Sequence, residues 1–185
     1  MNDLKKLQKF YEQALCDKIF QYELISGQTL QVIFYRESFC HLLGIQHITN
    51  NRHFIGRSGY DRIQSGGLTA KLLKRINRPG FAKIEHRIEH FTRIEGLMQQ
   101  GSIFRFYPER AGRTRIQATH LVYEEDKKLY LHLFLKRESA QSDIYAPMSY
   151  IVLTERDDNP ELYVAGQEYK NIVNLSVLPM EKPLA

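Results

Sequence analysis

The stretch Leu129-Tyr-Leu-His-Leu-Phe-Leu-Lys136 alternates without a break. In an extended chain Leu129, Leu131, Leu133 and Leu135 fall on one side, and Tyr130, His132, Phe134 and Lys136 on the other. The leucine side predicts a strand face packed on helices. Three more segments read as strands: Ser102–Tyr107, Gln117–Tyr123 and Met148–Thr154. Turns fill the intervals Pro108–Arg115, Glu124–Lys128 and Ser139–Pro147. Helical patterns precede them. Asp3 is placed to cap a helix carrying Leu4, Leu7, Phe10, Tyr11, Ala14 and Leu15 on one side. Leu68 to Ile76 reads as a short basic helix stopped before Pro79-Gly80. A longer helix runs from Phe81 to Gln100, with Phe81, Ile84, Ile88, Phe91 and Met98 as its apolar stripe and Gly101 as its end. Residues 46 to 67, with four glycines, read as loop. Helices early and strands late predict an α+β fold with an antiparallel sheet of about four strands. The domain is expected over 1–155, N-terminal helix and hairpin included. Residues 156–185 form a C-terminal extension in which Val173–Val177 offers an edge strand.

Near the N-terminus, Phe20-Gln-Tyr-Glu-Leu-Ile-Ser-Gly-Gln-Thr-Leu-Gln-Val-Ile-Phe34 reads as strand, turn, strand about Ser26-Gly27. Behind it runs Phe34-Tyr-Arg-Glu-Ser-Phe-Cys-His-Leu-Leu-Gly-Ile45. Ser38 is placed to cap a short helix whose Phe39, Leu42 and Leu43 face inward, with Gly44 ending it. His41 is then held near a strand end by a rigid scaffold, the setting in which sites are built.

The chain of 185 residues is 43% hydrophobic and 25% charged, the makeup of one globular domain. It has no apolar run near twenty residues and no secretion-signal pattern at Met1-Asn-Asp-Leu. Cys16 and Cys40 lack zinc spacing and are expected as reduced thiols of a cytoplasmic protein. The net charge is +5. Residues 50 to 79 hold seven Lys and Arg against Asp61 alone, so this one segment supplies the basic character. With Phe54, Tyr60 and several glycines nearby, it suggests a polyanion partner; a solvated surface is the plainer explanation.

The order of hairpin, Phe39-Cys-His-Leu-Leu-Gly44, helices and late strands resembles a phage-associated nuclease family. This is the fourth phage-type group of the Barnase, EndoU, colicin and RelE-like ribonuclease superfamily. The resemblance rests also on Tyr22-Glu-Leu, Arg87-Ile-Glu-His-Phe91, Leu133-Phe-Leu135 and Tyr145-Ala-Pro-Met-Ser-Tyr150, and covers roughly residues 20 to 155. It implies an α+β fold that cleaves RNA without a metal or other cofactor. The step it implies is attack by the 2′-hydroxyl on its own 3′-phosphate. It implies a phage- or toxin-associated setting, a cytoplasmic location with no membrane partner, and room for a protein inhibitor. A non-catalytic nucleic-acid-binding or host-modulating phage protein is the alternative.

Such cleavage needs a base, an acid, and cations around the phosphorane. His41 and His47 are the pair nearest the box, separated by Gly44. His132 and Lys136 share the polar face of their strand, and Ser149 could donate to a phosphate oxygen. These five are the candidate catalytic residues. Arg36, Arg52, Arg57, Arg62, Lys74 and Arg75 are the candidate RNA-binding cations. Each has a plainer explanation: a satisfied histidine, an ordinary half-solvated sheet face, a strand serine, a solvated charge. His86-Arg-Ile-Glu-His90 also fits the inverted zinc-protease pattern. An ion pair of Glu89 with Arg93 explains it more simply, and zinc hydrolysis is not the expected chemistry. There is no Walker loop, no dinucleotide glycine fingerprint and no Gly-x-Ser-x-Gly elbow.

Overall fold

The computed structural model describes residues 3–180; the last five residues of the C-terminal extension lie outside the described residues. Six α-helices occur among these: α1 (Leu4–Tyr11), α2 (Phe39–Leu42), α3 (Gly56–Gln64), α4 (Ala70–Ile76), α5 (Arg78–Glu89) and α6 (Arg93–Gln100). The strands are β1 (Lys18–Leu24), β2 (Thr29–Ile33), β3 (Ser102–Arg105), β4 (His120–Asp126), β5 (Leu129–Arg137), β6 (Ile144–Thr154), β7 (Glu168–Lys170) and β8 (Ile172–Pro179). They form one sheet in the order β7-β3-β4-β5-β6-β2-β1-β8.

The α+β class is as expected, but the sheet is eight-stranded and mixed rather than four-stranded and antiparallel. Two long-range joins account for the difference. The N-terminal hairpin enters the sheet through a parallel pair, Gln31 opposite Ile144 and Val32 opposite Tyr145. The C-terminal segment supplies both edges: β7 pairs with β3, and β8 pairs with β1. A single residue separates β7 from β8, so one bent segment nearly closes the sheet.

The strand reading of residues 129–136 holds for the leucines. Leu131, Leu133 and Leu135 are fully buried in the main core with α5 and α6. The opposite face is not open. Phe134 lies in a second core with Phe106, Ala111, Ala118 and Leu121. Tyr163 packs edge-on over His132 at 5.4 Å and over Phe134 at 5.2 Å between centroids. The segment before β7 thus roofs a face whose alternation alone predicts half-exposure.

Two helix expectations need correction. Phe81–Gln100 is two helices, not one. Phe91 sits at the joint, fully buried against Phe39 and Tyr150, and the Tyr150 hydroxyl donates to the His90 carbonyl at 3.0 Å. Pro79 lies in the first turn of α5, where no amide is missed, and Asn77 caps it by accepting from the Gly80 amide at 2.9 Å. Residues 46–67 contain α3. A Cβ on Gly59 would stand 2.4 Å from the Phe54 carbonyl oxygen, so this glycine marks close helix packing, not a loop. Cys16 and Cys40 are both free and buried, and burial pushes each thiol up to about 12.

His120 and His132 are completely buried. Burial holds His132 down at about 4; burial, with Arg105, Lys170 and Arg137 nearby, holds His120 at about 3. Neither His132 ring nitrogen makes a hydrogen bond of good geometry, although the Tyr130 and Ile151 backbone lies beside the ring. Both histidines are therefore neutral in the folded chain, whereas the unfolded chain takes up protons below about pH 6.5. The stability they contribute is complete above that pH and is lost as pH falls toward 4. Each proton gives a slope of about 1.4 kcal/mol per pH unit. Urea unfolding between pH 7 and 4.5 should show this decline, and His132→Asn should remove about one proton's worth of slope. An unchanged slope in that variant would show that His132 does not resist protonation.

Candidate active site

Beyond Val32 and Tyr145 the strands β2 and β6 make no further pairs, and α2 packs against β6 where they part. The site lies in this notch. Strand β6 carries a bulge there: Leu135 faces Pro147 and Phe134 faces Ser149, so Met148 has no partner across the strand. Bulges re-aim a strand at functional positions.

Helix α2 is a single turn. Phe39, Cys40, Leu42 and Leu43 are all fully buried, which leaves His41 as the outward residue of the turn. Phe39 is locked among the rings of Tyr11, Tyr60 and Phe91, at 5.0, 6.0 and 5.3 Å. That aromatic cluster is the rigid base beneath His41. Ser38 does not cap the helix; a 3-10 turn over Arg36–Ser38 leads into it instead. Gly44 ends it at φ 82°, in the left-handed region where glycine is favoured. The following turn, Ile45–His47, brings His47 back beside the first histidine.

Gly44 also marks what closes the site. A Cβ there would lie 3.1 Å from Arg87 Nη1 and 3.5 Å from His47 Cδ2. The guanidinium of Arg87, from α5, and the imidazole of His47 thus share the space above this glycine. Gln46 connects the histidines: its Nε2 lies 3.3 Å from the His41 carbonyl and 3.4 Å from His47 Nε2.

The electrostatics are coherent. Partial burial lowers the pKa of His41, the Met148 backbone partly offsets this by supporting the protonated ring, and the Arg87 charge lowers it further. His47 is lowered by burial, then by Arg87, then by His41. Arg87 is itself half-buried and disfavoured by burial; the one group that offsets this is the phenol of Tyr163. No ion pair engages Arg87 among the described residues. Two exposed, neutral imidazoles therefore face a cation with no anion of its own, an arrangement complementary to a phosphate.

The other sequence candidates differ in their surroundings. His132 is enclosed under Tyr163 and reaches no solvent. Lys136 is exposed on β5 opposite Ala146. Ser149 is half-buried, one residue past the bulge. Arg36 leans on Glu12 at 3.7 Å, Arg57 pairs with Asp61 at 3.1 Å and Lys74 with Glu85 at 3.5 Å. Arg62 lies over the Phe54 ring, while Arg52 and Arg75 are exposed. A cavity of about 640 Å³, lined by Ile63, Leu68, Lys71, Lys74, Phe81 and Glu85, opens beside this basic segment. Phe81 and Glu85 lie on the side of α5 opposite Arg87, so this cavity is not the notch.

The sequence singled out His41 and His47, which the structure places beside each other, and did not single out Arg87, Gln46 or the Met148 bulge as their neighbours. One signal for Arg87 was present. It lies on the apolar side of its helix, three residues from Ile84, and the residues three and four away are Lys83, Ile84, His90 and Phe91. A cation so placed has no acidic helix neighbour to explain it.

No curated protein and no solved structure matches the chain. A family model does, over residues 3–175, which takes in the notch, both ends of the sheet and the segment that carries Tyr163. The chain belongs to the family described as phage-Barnase-EndoU-ColicinE5/D-RelE like nuclease 4.

Proposed function

We propose that this protein is a metal-independent endoribonuclease in which His41 and His47 form the acid–base pair and Arg87 receives the scissile phosphate. The observation that carries this reading is the unpaired, half-buried Arg87 beside two exposed histidines of lowered pKa. A neutral imidazole takes the proton of the ribose 2′-hydroxyl. The other, protonated once a phosphate anion is bound, gives one to the departing 5′-oxygen. The forked guanidinium neutralises charge on the pentacoordinate phosphorus. The product ends are a 2′,3′-cyclic phosphate and a 5′-hydroxyl. Ser149 is a hydroxyl able to donate to a phosphate oxygen. Arg52, Arg62 and Arg75, exposed and in no ion pair among the described residues, give the flanking RNA a cationic track, with Arg36, Arg57, Lys74 and Lys136 at its margins. The proposed setting is the bacterial cytoplasm, in a phage- or toxin-associated system where a protein inhibitor fits.

Incubation of the purified chain with short RNAs, with and without chelator, tests this. Cleavage should persist in chelator, leave cyclic phosphate ends, and fail on a substrate with 2′-deoxyribose at the scissile nucleotide. Loss of activity in chelator, restored by metal, would overturn the mechanism. Salt-dependent RNA binding without cleavage at any pH would favour the non-catalytic binding protein instead.

A further inference from the structure

The last turns of α5 carry His86, Glu89 and His90 on one face. Their ligand atoms all lie within 4.8 Å of one another. Arg87, next in sequence to His86, points about 100° away around the helix, so this face is separate from the notch. The ion pair of Glu89 with Arg93, expected from sequence, is not formed. Arg93 turns to β4, reaching Asp126 at 2.7 Å and Glu124 at 3.4 Å. Glu89 is left with His86, 3.4 Å from its Nδ1.

We infer that His86, Glu89 and His90 form a binding site for a divalent transition metal ion, of the zinc, nickel or cobalt type. Two imidazoles four residues apart on a helix, with a carboxylate between, make a compact nitrogen–oxygen set. Imidazole selects these ions over magnesium and calcium, which take oxygen ligands. The side chains already lie close to the required geometry. The two rings are inclined by only 23°. Ligands of a tetrahedral ion at about 2.0–2.1 Å stand roughly 3.3 Å apart, so the set must tighten by about 1.5 Å or less. Exposed rotamers on a helix surface supply that movement.

Two further features favour a cation here. His90 is the C-cap of a twelve-residue helix, where the free carbonyls and the negative end of the helix dipole attract positive charge. Beside His86 lies a cavity of about 300 Å³ whose walls include Thr154 and Glu155, giving room for a further oxygen ligand. Nearby cations are largely spoken for: Arg93 is held by two carboxylates and Lys128 by Glu155. Lys127 and Arg156 also border that cavity and favour an anionic fourth ligand there. The ion would tie together the last turn of α5 and its C-cap, the turn that also carries Arg87.

The test is titration of the full-length, untagged chain with Co²⁺, followed by visible absorption, and with Zn²⁺, followed by calorimetry. The expected result is one equivalent bound with a cobalt spectrum of mixed nitrogen and oxygen ligation. A hundredfold excess of zinc over its Kd should raise the Tm by about 5–10 °C. His86→Ala and His90→Ala should each abolish the stoichiometric binding, and His53→Ala, elsewhere on the surface, should not. His86 is exposed and His90 half-buried, and circular dichroism checks that the variants fold. Absence of stoichiometric binding by the parent chain, or binding that survives His86→Ala and His90→Ala, overturns the inference.

Discussion

His41→Ala should cut the rate of RNA cleavage by about 10²-fold or more while leaving the thermal unfolding curve of the parent in place. The magnitude is the usual loss when an acid–base group is removed. The unchanged fold follows from the architecture of α2. Phe39, Cys40, Leu42 and Leu43 make the buried contacts of this turn, whereas His41 is exposed and adds little to the packing. The pH profile provides an independent readout. Burial and the Arg87 charge lower the pKa of both His41 and His47, so the neutral forms persist to lower pH than in a free imidazole. The acid limb of kcat/KM in the parent should accordingly fall below about pH 6.5. The two imidazoles influence each other, so the limbs belong to the pair. Removing one ring should leave a single limb. A folded His41→Ala protein with parental activity would make His41 a structural residue and return the search to other groups in the notch.

What sequence conveyed and what it withheld divide along a physical line. Local periodicity located the hairpin, the leucine face of β5 and the inward side of α2, because each depends on residues within one strand or turn. The parallel pairing of β2 with β6 joins residues more than a hundred positions apart, and no local pattern specifies it. The same holds for β7 and β8, which take their partners from the middle and the beginning of the chain. Tyr163 shows the consequence for the site. It lies in a polar stretch with no periodicity, yet it roofs His132 and so removes from solvent a histidine whose alternation pattern points outward. The cationic segment is a different case. Its charge is real, but Arg57 and Lys74 lie in ion pairs, and part of the segment borders a cavity on the far side of α5 from Arg87. Formal charge in a sequence counts cations without their partners.

Arg87→Ala should lower kcat by about 10²–10³-fold, the scale for losing a group that stabilises charge developing in the transition state. The same substitution should leave thermal stability unchanged or raise it. A half-buried guanidinium with no carboxylate partner among the described residues is desolvated with only the Tyr163 phenol to offset it, and burial pushes its pKa downward. Such a residue works against the fold, as sites arranged for function commonly do. A structural role predicts the opposite pair of results: lost stability, with activity falling only as folded protein is lost. Arg87→Lys separates charge from geometry. Lysine restores a cation but not the planar fork, so it should recover part of kcat and not all of it. The division between kcat and KM carries the rest. An equal loss in kcat and kcat/KM assigns Arg87 to the transition state, whereas a rise in KM alone would reduce it to a binding residue for the ground-state phosphate. Because Arg87 and His47 both border Gly44, the double variant with His47→Ala should lose less than the product of the two single effects. Full multiplicativity would mean that the two groups act on the substrate independently, and the notch would not be one catalytic unit.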